Sequence, residues 1–261
     1  MHLVADIGNT ELALGVMNPE GGEVEAHWRL STATPRTGDE FAHLVADLLE
    51  REGVEMDRVS RSVVGSVVPT VTERFRHALE KLFSGPVFLV EAETAGSRLP
   101  IELDVEEPQT VGADRIVNTL AAKELYGQDT VVVDLGTATT FDCITAEGVF
   151  LGGVIAPGIQ AGLEWLGRRA AKLPRVEFRS PPAVIGRTSE TCMESGVFYS
   201  AADGIDGMVR RIREEWGRPD ALVVATGGYA ALLAPHCGSV ERVEPFLTLQ
   251  GLFWAGEHMA K

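Results

Sequence analysis

Cysteine is scarce in this chain. Cys143, Cys192 and Cys237 are odd in number, far apart and form no C-x-x-C pair, which excludes a disulfide scaffold and a thiolate zinc site and leaves reduced, structural thiols. Positive charge is scarce too: 23 Lys and Arg face 38 Asp and Glu, for a net charge of −15, without a basic run. Such a surface repels a nucleic-acid backbone. Long apolar runs are missing, and the start, Met-His-Leu-Val-Ala-Asp, lacks a basic region and is interrupted by Asp6. No membrane partner and no signal peptide are therefore expected, and the reading is a cytoplasmic protein. Several catalytic signatures are absent as well. The nearest approach to a P-loop, Gly162 to Arg169, has Arg where the Lys and the hydroxyl belong, and neither G-x-S-x-G nor H-E-x-x-H occurs. The six histidines are scattered and read as structural or exposed.

What is present suffices for two modest cores, since 45% of the 261 residues are hydrophobic. Three strands are expected between Leu3 and Thr32. A helix follows, with Thr37 and Glu40 as a capping box and Phe41, Leu44, Val45, Leu48 and Leu49 as its apolar stripe. Ser62 to Val68 reads as a buried strand, Thr70 and Glu73 as the cap of a second helix, and Val87 to Val90 as a strand. Further helices are expected over Val111 to Leu125, Ile159 to Lys172 and about Glu190 to Trp216. An internal repeat stands out: an apolar strand ends in Asp6-x-Gly8-Asn9-Thr10, and another ends in Asp134-x-Gly136-Thr137. Two related domains explain it, one over residues 1–110 and one over 111–261, with the C-terminal helix packing back on the first.

At a strand end, Gly lets the backbone approach a phosphate, Asn and Thr offer donors, and Asp6 could position a magnesium ion. An ordinary hairpin turn uses the same residues. The second copy and a third turn, Thr226-Gly227-Gly228, shift the balance toward a two-domain ATPase with nucleotide in a cleft between its halves. Gly112-Ala113-Asp114-Arg115 begins a helix, where backbone N–H groups favour anions. Asp114 could take the proton of an attacking hydroxyl while Arg115 orients an anion, or the two could form a solvated surface pair.

The ordered set of motifs resembles the type III pantothenate kinases almost from end to end. Beyond the phosphate turns, the likeness extends to Trp28-Arg29-Leu30-Ser31-Thr32, Ser66-Val67-Val68-Pro69 and Val111 to Asn118. It continues through Asp134 to Asp142, Gly152-Gly153-x-Ile155-x-Pro157-Gly158 and Leu247-Thr248-Leu249-x-Gly251-Leu252. The resemblance implies an α/β fold of two duplicated ribonuclease H-like domains, mixed β-sheets flanked by helices, with the ATP cleft between them. It implies transfer of the ATP γ-phosphoryl group to pantothenate, the opening step of coenzyme A synthesis. By the same resemblance, Asp6, Ile7, Gly8, Asn9, Thr10, Glu11, Leu12 and Ala13 cradle ATP, and Thr137 touches it. Gly112, Ala113, Asp114 and Arg115 bind pantothenate, with Asp114 as general base. Asp134 holds a monovalent cation, potassium or ammonium, a divalent ion such as magnesium accompanies ATP, and the enzyme is a homodimer. The family's Asn-Thr before the long helix is Gly186-Arg187-Thr188-Ser189 here, so Ser189 or Thr188 supplies the substrate hydroxyl. Its aromatic Tyr-Asp-Asn-Pro stretch is Val105-Glu106-Glu107-Pro108. The rival readings are a catalytically weak accessory or regulatory homologue and a phosphatase on the same fold, using water as acceptor.

Overall fold

The computed structural model describes the chain apart from residues 170–172 and 175. Its strands and helices run β1 (His2–Ile7), β2 (Glu11–Met17), β3 (Val24–Ser31), α1 (Gly38–Arg51), β4 (Arg61–Ser66), α2 (Pro69–Leu82), β5 (Val87–Val90), β6 (Glu102–Leu103) and α3 (Ala113–Tyr126). There follow β7 (Thr130–Leu135), β8 (Ala138–Ile144), β9 (Val149–Pro157), α4 (Ile159–Arg169), α5 (Ser189–Trp216), β10 (Leu222–Thr226), α6 (Ala230–Leu233), β11 (Arg242–Val243) and α7 (Leu247–Met259). Residues 170–172 of the helix expected to reach Lys172 lie outside the described residues. Two compact units emerge. One comprises Met1–Gly127, Glu147–Phe150 and Phe246–Lys261; the other comprises Gln128–Ala146 and Leu151–Pro245.

The first unit carries a mixed sheet in the order β3-β2-β1-β4-β5, with β1 antiparallel to β2 and parallel to β4. Strand side chains alternate between faces, and here both faces are buried. Leu3, Ala5 and Ile7 pack with Phe41 and Val45 of α1 and Phe75 and Leu79 of α2. Val4 and Val63 on the other face join Ile116, Val117 and Leu120 of α3 and Leu252 and Phe253 of α7. Helix α3 thus belongs with α7 in the first unit, although the sequence division after residue 110 assigns it to the second half.

The second unit repeats the plan. Its strands run β9-β8-β7-β10-β11, with β7 antiparallel to β8 and parallel to β10. Val131, Val133, Val223 and Ala225 pack against Phe198, Ile205 and Val209 of α5. The two sheets therefore share one strand order, first strand central and second and third to one side, which bears out the duplicated α/β architecture with mixed sheets flanked by helices. The early residues of β9, Val149 and Phe150, pair in parallel with β6 within the first unit.

Local signals account for most boundaries. The Thr37 hydroxyl accepts from Glu40 N at 3.3 Å while the Glu40 carboxylate accepts from Thr37 N at 2.7 Å, the expected capping box of α1. The Thr70–Glu73 box does not form. Pro69 occupies the first turn, Val68 is the N-cap, and Thr70 lies inside α2, because proline's fixed φ suits the first helical position. The strand expected to reach Val68 stops at Ser66 for the same reason.

Candidate active site

Five of the six residues of β1 are buried, and the partly exposed one is Asp6. The chain then turns tightly: Gly8 N donates to Glu11 O at 2.9 Å, and a Cβ on Gly8 would stand 3.1 Å from that oxygen. Asn9, Thr10 and Glu11 face solvent, while Leu12 returns to the core. Arg29 donates to the Glu11 carboxylate at 2.9 Å. Both partners are about half exposed, so this pair orients the turn more than it stabilises it.

Strand β4 brings the second segment alongside. Asp6 pairs with Gly65 in the parallel register, and Val67 N donates to Ile7 O at 3.1 Å. Gly65 has room for no bulky side chain: a Cβ there would meet Leu252 at 3.2 Å and the Ala113 methyl at 3.5 Å. That close approach sets the start of α3 on the strand beside Asp6. Gly112, the N-cap of α3, supplies no side chain to the helix end, and a Cβ on it would come 2.4 Å from Asp114 Oδ1 and 3.2 Å from Val67.

Asp114 Oδ1 accepts from Arg115 N at 2.9 Å. Burial pushes the Asp114 carboxyl above the usual carboxylate range, and the Arg115 amide and charge pull against that shift. The Arg115 guanidinium lies over the Phe150 ring, 4.9 Å from its centroid. One end of the first unit therefore gathers an exposed backbone turn suited to phosphate, a carboxylate of raised basicity and a guanidinium suited to an anion. Phe150 was silent in the sequence, one apolar residue inside an apolar run.

In the second unit Asp134 repeats the place of Asp6. It is the fifth residue of β7 and the one partly exposed residue of that strand, the remaining five being buried. Asp134 pairs with Thr140 on one side and Thr226 on the other. Gly227, at φ +90°, carries the backbone across it, and a Cβ at Gly227 would lie 2.5 Å from Asp134 Oδ1. Gly158 does the same for the neighbouring turn, since a Cβ there would strike Thr137 O at 2.0 Å. Only glycine fits such approaches. Among the described residues no group of three or more His, Cys, Asp or Glu could hold a metal ion, so a cation at Asp134 would complete its shell from carbonyls, hydroxyls and water, a donor set that suits a hard cation.

Thr188 caps α5. Its hydroxyl accepts from Thr191 N at 3.2 Å, and Thr191 Oγ1 accepts from Thr188 N at 3.0 Å. Ser189, the first residue of α5, is exposed beside it. Both line a cavity of about 1020 Å³ walled by Phe141, Ile159, Met193 and Val197.

Known proteins resemble this one along its length. The family model described as Type III pantothenate kinase matches residues 2–211. The Type III pantothenate kinase of Moorella thermoacetica is 42% identical over 252 residues, 97% of each chain. Among solved structures, a Baf family transcriptional activator from Campylobacter jejuni superimposes with a TM-score of 0.60 at 19% identity, over 98% of this chain and 97% of the other. A ROK hexokinase from Thermus thermophilus does so with a TM-score of 0.50 at 14% identity, over 97% of each. At such identities these structures speak for the fold.

Proposed function

Because the chain belongs to the type III pantothenate kinase family, we propose that Asp114 is the general base of the reaction that the family name describes. The enzyme transfers the ATP γ-phosphoryl group to the terminal hydroxyl of pantothenate, giving 4'-phosphopantothenate, the first step of coenzyme A biosynthesis, with a divalent cation alongside ATP. The hydroxyl proton passes to the Asp114 carboxylate, the oxygen bonds to the γ-phosphorus, and the bond to the departing ADP breaks. Phosphoryl transfer asks chiefly for positioning and charge neutralisation. Gly112, Ala113 and Arg115 hold pantothenate, whose carboxylate is the natural partner for the Arg115 guanidinium. The turn from Asp6 to Ala13 and Thr137 bind ATP, with magnesium as its divalent ion. Ser189 supplies the substrate hydroxyl contact in preference to Thr188, because the Thr188 side chain is engaged in the helix cap.

The observation that carries this reading is Asp114, a carboxylate of raised pKa in the first turn of α3, oriented by the Arg115 amide. The test is ADP release from ATP and magnesium, with and without pantothenate. Release that requires pantothenate and vanishes in Asp114→Asn supports it; full turnover by that variant ends the assignment.

Two finer properties belong to the same proposal. Asp134 binds potassium or ammonium, and the Asp134 carboxylate under the Gly227 turn supports this because carbonyl and hydroxyl oxygens there can complete the shell. Bound there, the cation would offset negative charge that an acidic protein cannot neutralise alone. The enzyme also works as a homodimer in the cytoplasm. In favour of a covering second copy, the second unit exposes Ile155 at 67%, Trp165 at 62%, Val184 at 65% and Ile185 at 84%, more apolar surface than isolated residues need explain.

A further inference from the structure

We infer that Phe150 is a positioning residue for pantothenate, acting through Arg115; the inference rests on the assignment of Arg115 to the substrate. Phe150 is 1% exposed, and its ring lies 4.9 Å from the Arg115 guanidinium carbon. An aromatic face attracts a guanidinium and favours a stacked plane, which lowers the freedom of a long side chain before substrate arrives.

The backbone that carries the ring is fixed by its pairing with β6. Leu103 of β6 pairs with Phe150, Asp104 N donates to Phe150 O at 2.9 Å, and Glu102 N donates to Gly148 O at 3.1 Å. Gly148, at φ +86°, lies against Lys123 of α3, whose ammonium donates to Pro100 O. The start of β9 is thus held along α3 at Lys123 and at Arg115, eight residues apart on one helix. Both ends of the Arg115 residue are engaged: its amide orients the Asp114 carboxylate and its guanidinium lies on the ring. Arg115 placed by Phe150 meets the substrate already ordered, which lowers the cost of binding without touching the transferred phosphoryl group.

The experiment is steady-state kinetics of Phe150→Leu and Phe150→Met, which keep apolar bulk and remove the ring, and of Phe150→Tyr, which keeps it. Each is also made in an Arg115→Gln background, and thermal melting identifies the folded variants. Loss of the ring is expected to raise the pantothenate KM about five- to twentyfold, the reach of a partly desolvated cation–π contact. The kcat and the ATP KM should stay within about twofold, Phe150→Tyr should restore binding, and ring loss should add nothing once Arg115 is Gln. Equal KM penalties with and without Arg115, or a fall in kcat at unchanged KM, overturn the inference while leaving the Arg115 assignment standing. If Arg115→Gln alone leaves the pantothenate KM unchanged, the assignment fails and the inference falls with it.

Discussion

Asp114 is costly to keep where it is. A carboxyl whose pKa is raised in the fold binds its proton more tightly there than in the unfolded chain, so stability falls as pH rises through the raised value and the deficit persists at neutral pH. Asp114→Asn should therefore lower kcat about 10²- to 10⁴-fold while melting no lower than the parent at pH 7. A drop in melting temperature with kcat intact would reverse the argument. The same shift places the acid limb of the kcat/KM profile above the ordinary carboxylate range, because the base must be unprotonated to accept. His2 behaves in the opposite sense. Buried and stacked on Phe253 at 5.1 Å, it has its pKa lowered to about 4 by burial first, with Arg61 and the terminal ammonium adding to it. The unfolded chain takes up this proton from its ordinary 6.5 downward and the fold does not, so the fold loses stability between those two values as pH falls. His2→Phe should remove one proton from that slope in melts recorded across pH 7 to 4; an unchanged slope would assign the acid sensitivity to other groups.

Helices and turns differ in how openly the sequence announces them. The capping box of α1 is written in adjacent residues, and the Asp-x-Gly turns recur in a way that survives without structure. The Thr70–Glu73 pair carried the same spelling, and Pro69 overrode it. The convergence of the Asp6 turn with α3 had no local spelling at all. It depends on Gly65 and Gly251, which allow α3 and α7 to press on the sheet and on each other from far along the chain. A Cβ on Gly251 would meet Val117 O at 2.0 Å, a backbone atom with no freedom to yield. Gly251→Ala should cost about 1–3 kcal/mol by overpacking, measured by urea unfolding. It should also depress kcat, since displacing α3 displaces Asp114. A stable variant of normal activity would show that this crossing has slack. Phe150 escaped sequence reasoning for a related reason: its partner lies 35 positions earlier, and the strand that fixes it, β6, is only two residues long.

At the scale of the whole molecule, a net charge of −15 makes an anionic reaction depend on cations. Pantothenate-dependent ADP release should rise when potassium replaces sodium at constant ionic strength, and Asp134→Asn should abolish the difference; equal rates in both salts would remove the cation from the proposal. Ile185→Glu should shift sedimentation toward the monomer, whereas an unaltered profile would place any subunit contact elsewhere. Residues 246–261 belong to the first unit although the whole second unit precedes them. Helix α7 buries Leu247, Leu249, Leu252, Phe253, Ala255 and Met259, and until they arrive Val4, Val63 and Val117 lack their cover. During translation, then, the unit begun first is finished last: a nascent chain stalled near residue 245 would carry its amino-terminal sheet with one face covered by α3 alone and the apolar strip that α7 seals still open to a holding chaperone.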